Sequence, residues 1–216
     1  MEIMVTIKIL TWGDIMVWGI YLAAGQSKRM GRPKLGLSFG ELSLGGIALE
    51  TAIHSTLDGI VVVTQEDDPL AWIPPSLSYG PYREKWVHAP CRSSSQGQSE
   101  SIKCGLRAAQ EQDAVAVMIL LADQPFTPVQ MINHFVSIYK LERWPFITAS
   151  HIGITRPPVL FDTLLFPELL LLEGDEGARK LLRHRPSVQG LVIEYRNTRY
   201  FIDVDTPMDY QSLIHV

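Results

Sequence analysis

Four cations, Lys28, Arg29, Arg32 and Lys34, fall within the short stretch LAAGQSKRMGRPKL, Leu22 to Leu35, of a chain that is acidic as a whole. It carries 19 Lys and Arg against 23 Asp and Glu, a net charge of −4. A run of charge is ordinarily a solvated face. What precedes this run points elsewhere. Leu22 ends an apolar segment, and Ala23, Ala24 and Gly25 have almost no side chain, so their backbone can approach a ligand closely. Consecutive N–H groups there would form an anion-binding nest. Arg29, as a planar fork, and Lys34, as a point charge, can then neutralise phosphate oxygens. Lys28 and Arg32 are assigned to the solvated face.

Spacing excludes the two commonest phosphate loops. A Walker loop needs GxxxxGK followed by Ser or Thr. Here five residues separate Gly25 from Gly31, and Arg32-Pro33 follows. A dinucleotide fingerprint needs GxGxxG, and Gly25-Gln26-Ser27 lacks the second glycine. The net negative charge argues against nucleic acid as a partner, since a phosphate backbone calls for a basic face. Cys91 and Cys104 form no CxxC pair, the six histidines no HExxH. Reduced thiols and a cytoplasmic location are the expectation.

These residues must be positioned by something. Val17–Ala23 reads as a first strand, Ile47–Leu57 as an amphipathic helix, and Gly59–Thr64, GIVVVT, as a strand buried on both faces. Asp67–Tyr82 is proline-rich loop, and Trp86–His88 a short strand. A helix opens near Ser99. Ala114–Ala122, AVAVMILLA, is the central strand, Pro128–Lys140 a helix opened by proline, and Phe146–Ser150 another strand. Two helical pieces follow, Thr163–Leu172 and Glu176–Arg183, then a strand near Leu191–Tyr195 and a final helix opened by Thr206-Pro207. Strands alternating with helices mean α/β, a doubly wound, mostly parallel sheet. Ligands of such sheets bind at the carboxyl ends of the strands. The basic loop leaves the carboxyl end of the first strand and Asp123 that of the central strand, so both belong to one rim. Residues 16–216 are read as a single domain, residues 1–15 as an extension without a secretory pattern. The apolar stretch Val159–Leu172 is too interrupted to span a membrane.

The order LAAG-x-S-x-R-M-G-x-x-K resembles the signature of the molybdenum cofactor nucleotidyltransferases, the MobA-like NTP transferases. GQSESIKCGL (Gly97–Leu106) is similar to that family's second nucleotide-side segment, and LLADQP (Leu120–Pro125) to its metal-aspartate segment. PVLF, GDEGAR and IDVDTPMDY resemble the cytidylyltransferase and xanthine-dehydrogenase-accessory branch. Arg156-Pro157-Pro158 stands where that branch usually carries Gly-His-Pro. The resemblance implies a three-layer Rossmann-like fold of the nucleotide-diphospho-sugar transferase type. It implies transfer of NMP, CMP from CTP, to the phosphate of a molybdopterin-type cofactor, with a molybdenum hydroxylase apoenzyme downstream.

The site residues follow from the match. Leu22, Ala23, Ala24, Gly25, Ser27, Arg29 and Lys34 would hold the nucleotide with Gln98, Ser99 and Ser101; simple helix capping is the other reading of Ser99. Arg29, Lys34 and Asp123 would be catalytic. Asp123 and Asp205 would hold Mg2+, against the plain readings of a turn aspartate and a helix-start aspartate. Asp175 and Arg179 would face the acceptor, or Asp175 would cap a helix. Cys91 is read as packing, since phosphoryl chemistry needs no thiolate. Two other functions share these residues: an NTP transferase acting on a sugar- or alditol-phosphate, and a non-catalytic cofactor carrier or insertion protein.

Overall fold

The computed structural model describes residues 15–175, 177–178, 181–182 and 188–214. Continuous β-branched and aliphatic runs make the strands β1 (Val17–Leu22), β4 (Gly59–Gln65), β5 (Trp86–Cys91), β6 (Ala116–Leu121), β7 (Phe146–His151), β8 (Ile154–Asp162) and β9 (Leu191–Glu194). They form one seven-stranded sheet in the order β5-β4-β1-β6-β8-β7-β9. Every neighbouring pair is parallel except the two that involve β8. A small antiparallel ladder, β2 (Ser38–Phe39) with β3 (Leu42–Ser43), closes the segment after the basic loop.

The helices lie on both faces, as crossovers between parallel strands require. All six residues of β1 are buried, and alternation sends them to opposite layers. Tyr21 meets the face covered by α1 (Leu44–Ile53) and α4 (Val129–Glu142), with Leu49, Ile53, Met131 and Phe135. Trp18, Ile20 and Leu22 meet the other, covered by α3 (Gln98–Gln110) and α5 (Phe166–Leu170), with Ile102, Leu106 and Leu169. Helix α3 lies very close to the sheet. A Cβ at Gly105 would come within 2.4 Å of Ile20 and 2.8 Å of Val63. A short helix α2 (Gly80–Glu84) and a C-terminal helix (Pro207–Ile214) complete the described residues.

The main departure from the sequence reading is β8, which the reading left out in passing from β7 to helix. A tight Ile152-Gly153 turn, both residues at positive φ, reverses the chain, and β8 inserts antiparallel between β6 and β7. Pro157 and Pro158 hid it, because proline removes ladder donors and reads against a central strand. The register shifts just there, between Thr148 and Ala149. The expected Thr163–Leu172 helix is two short pieces, a 3-10 turn Thr163–Leu165 and α5. Helix α1 opens at Leu44, capped by the Ser43 side chain, rather than at Ile47. Residues 1–14 lie outside the described residues, as does half of the Glu176–Arg183 piece; Ile15 is buried in the core.

Candidate functional site

The carboxyl ends of β1, β5 and β6 open onto one cavity of about 430 Å³. The sheet ladder persists one residue past β1, since the Ala23 N–H donates to the Val63 carbonyl at 2.8 Å. The expected nest therefore excludes Ala23. The chain then leaves the sheet, and among the described residues the N–H groups of Ala24, Gly25 and Gln26 have no acceptor within the chain. Ser27 organises the turn that follows. It sits at positive φ, its carbonyl accepts from the N–H groups of Met30 and Gly31, and its Oγ accepts from the Lys34 N–H at 3.2 Å. That fold-back delivers the Lys34 side chain to the rim.

Lys34 is 7% exposed. Its Nζ donates to Asp123 Oδ2 at 2.7 Å and to Asp205 Oδ1 at 2.8 Å. The other oxygen of Asp205 pairs with the Arg29 guanidinium at 2.7 Å, Arg29 being 70% exposed at its side chain. Burial pulls the Lys34 ammonium down, but the two carboxylates outweigh it and hold its pKa above the ordinary lysine value. The four expected residues Arg29, Lys34, Asp123 and Asp205 thus meet in one ion cluster, though they come from the β1 loop, the β6 loop and the C-terminal segment.

Four residues that the sequence does not single out, Gln124, Asp203, Val204 and Asp209, hold the cluster together. The Gln124 amide donates to Asp203 Oδ1 at 2.8 Å, and the Val204 N–H donates to the Asp123 carbonyl at 3.0 Å. Together they staple the segment before Asp205 to the segment after β6. Burial, with Asp123 and Asp205 adding to it, raises the Asp203 pKa against the opposing Gln124 hydrogen bond. Asp209 accepts from the N–H groups of Asp205 and Thr206 at 3.1 and 2.7 Å, while Thr206 Oγ1 accepts from the Asp209 N–H. This reciprocal box fixes Asp205 at the mouth of the C-terminal helix. The signals in the sequence are the run of carboxylates in IDVDTPMD and the Thr-x-x-Asp spacing of a capping box.

The opposite wall comes from β5 and α3. Gln98 and Ser101 line the cavity as expected, with Ser94, Ser95, Gln96 and Gly97. Ser99 does not. It is fully buried, its Oγ has no partner among the described residues, and its N–H donates to the Gly174 carbonyl at 3.1 Å. It is not the cap either; α3 starts at Gln98 after Gly97. Asp175 lines the cavity, as does Lys28, which was assigned to solvent; Arg32 is exposed outside it. Arg179 lies outside the described residues.

Neither thiol lines the cavity. Cys91 is buried, and burial, with the neighbouring Cys91 thiol adding to it, pushes the Cys104 thiol up to about 12. Among the described residues no group of three or more His, Cys, Asp or Glu side chains converges as a ready-made metal cage. Asp123 and Asp205 nevertheless converge on a single cationic centre, here the ammonium. Both line the cavity, and a hard divalent cation takes one or two such carboxylates and completes its shell with waters and other oxygens, in competition with the Lys34 and Arg29 contacts.

Comparison with known proteins gives the family. The chain is 37% identical over 196 residues to the purine catabolism protein PucB of Bacillus subtilis, covering 90% of this chain and 94% of that one. It is 28% identical over 185 residues to the nicotine blue oxidoreductase of Paenarthrobacter nicotinovorans, covering 82% and 86%. The fold is that of Rv0371c from Mycobacterium tuberculosis, with a TM-score of 0.76 at 21% identity over 94% of this chain and all of that one. The family model of the MobA-like NTP transferase domain matches residues 19–189, and the chain belongs to that family.

Proposed function

We propose that this protein transfers CMP from CTP to the phosphate of a molybdopterin-type cofactor. An acceptor phosphate oxygen attacks the α-phosphorus, the bond to the bridging oxygen breaks, and pyrophosphate leaves. Such a reaction asks for position and charge neutralisation rather than a covalent nucleophile. The free N–H groups of Ala24, Gly25 and Gln26, with Lys28 and Arg29, suit the leaving pyrophosphate. Lys34, held between Asp123 and Asp205, is placed to meet charge that develops at the α-phosphate. Asp123 and Asp205 would hold Mg2+, which supplies Lewis-acid neutralisation of phosphate oxygens.

The observation that carries the reading is the buried Lys34 ammonium bridging two carboxylates beside a cavity of about 430 Å³. The motifs shared with the xanthine-dehydrogenase-accessory branch and the similarity to a purine catabolism protein support a molybdopterin acceptor. The oxidoreductase among the relatives raises hydride transfer as a second reading. The β1 loop speaks against a nicotinamide dinucleotide there, since Gly25-Gln26-Ser27 departs from the GxGxxG fingerprint. The test is pyrophosphate release from each NTP with Mg2+, alone and with molybdopterin, a sugar phosphate or an alditol phosphate. Release with CTP and molybdopterin is expected. Release only with a sugar or alditol phosphate replaces the acceptor, and release with no pair overturns the transferase reading in favour of a carrier.

A further inference from the structure

Asp175 is a carboxylate in a cavity otherwise arranged for phosphates, and its position has a specific cause. Gly97 sits at φ +129, with no room for a side chain. A Cβ there would fall 2.2 Å from the Gly174 carbonyl carbon and oxygen, and 2.8 Å from the Asp175 nitrogen. The Ser99 N–H donates to that same Gly174 carbonyl. Gly177 in turn lies against Gln98, where an added Cβ would be 2.7 Å from Oε1. Backbone is therefore clasped directly to backbone, and the turn carrying Asp175 becomes part of the wall that begins α3.

Strand order says which end of a nucleotide that wall meets. Asp123 follows β6 and the basic loop follows β1, whereas Ser94–Gln98 follow β5, on the far side of β4. Three strand spacings separate the β6 and β5 ends, roughly 14 Å at the usual interstrand distance. That is the order of the reach from an α-phosphorus, across a sugar, to the outer edge of a base. Asp123 and Asp205 line the same cavity, but Lys34 and Arg29 offset their charge; Asp175 has no such cation among the described residues and would repel a triphosphate, so it serves the other end of the ligand.

On the reading that the cavity binds an NTP, we infer that Asp175 reads the base, accepting a hydrogen bond from an exocyclic amine such as cytosine N4 and rejecting the uracil carbonyl at that position. The Gly97–Gly174 clasp is the positioning device. Asp175 is exposed in a turn, so its substitution tests recognition without a burden on folding.

The experiment is calorimetric titration of wild type, Asp175→Asn and Gly97→Ala with CTP, UTP and dCTP, each with Mg2+. Wild type is expected to prefer CTP over UTP. Asp175→Asn should shrink that ratio roughly tenfold to a hundredfold, the worth of one hydrogen bond to a charged group. Gly97→Ala should shrink it too, without touching the base. Equal wild-type affinities for CTP and UTP, or a ratio unchanged in Asp175→Asn, overturn the inference and leave the NTP site standing. A change confined to the CTP to dCTP ratio assigns Asp175 to the sugar and also overturns it. Binding of no nucleotide by wild type overturns both.

Discussion

At the scale of the residue, Lys34 is the centre of the account. Its two partners are about a quarter exposed, with side-chain accessibilities of 25% for Asp123 and 22% for Asp205. Lys34→Ala leaves two carboxylates facing one another, and we expect a loss of about 1–3 kcal/mol, below the figure for a fully buried pair. Asp205→Asn in that background should restore part of it, read from urea unfolding midpoints. The sign of the pH dependence follows from the raised lysine pKa. The stabilisation is complete below the ordinary lysine value and is lost only as pH rises through the folded one. The difference between wild type and Lys34→Ala should therefore stay flat from about pH 6 to 9. Arg29 is mostly exposed, so Arg29→Ala should leave the melting temperature unchanged while weakening NTP binding, more at low salt than at high. Lys34 and Asp123 were legible because each follows a strand end that the apolar pattern marks. Ala23 and Ser99 misled for the same reason, since type and position do not reveal which N–H or hydroxyl the fold consumes.

At the scale of the element, α3 and the C-terminal helix carry the site. Helix α3 presses so closely on Ile20 and Val63 that Gly105→Ala must force side chains or backbone apart. Overpacking of this kind costs about 1–3 kcal/mol, which thermal melts would register. The C-terminal helix depends on the Thr206–Asp209 box. Burial disfavours the charged Asp209, but hydrogen bonds from Thr206 and Asp205 win and hold its pKa below the ordinary carboxylate value. Its contribution is present above that ordinary value and lost as pH falls through the folded one. Asp209→Ala should lower the melting temperature at pH 7, and the gap to wild type should close below about pH 4. A melting difference that does not narrow as pH falls below about 4 contradicts this role. The box was half legible, as Thr206-Pro207 announced a helix start. That Asp209 reaches past Thr206 to the Asp205 N–H as well goes beyond what the Thr-x-x-Asp spacing announces.

At the scale of the molecule, alternation of apolar runs was enough to give the parallel sheet and to place the β1 and β6 loops on one rim. It was not enough to give β8, because a strand that carries two prolines and turns back within three residues breaks the rule of alternating strand and helix. Pairings across the whole chain were also hidden: Arg29 with Asp205, Gly97 with Gly174, Gln124 with Asp203. Each joins segments whose adjacency exists only once the sheet has formed. Among the described residues no helix is long and apolar enough to cross a membrane, and the acid–base balance disfavours nucleic acid. What the assembled rim offers is a cavity of about 430 Å³ lined by the Arg29–Lys34–Asp123–Asp205 ion cluster. The most direct measurement is pyrophosphate release from CTP, Mg2+ and molybdopterin by wild type and Lys34→Ala at equal folded concentration. The account predicts release by wild type and a fall of roughly a hundredfold or more in the variant. Equal rates from the two proteins would contradict it.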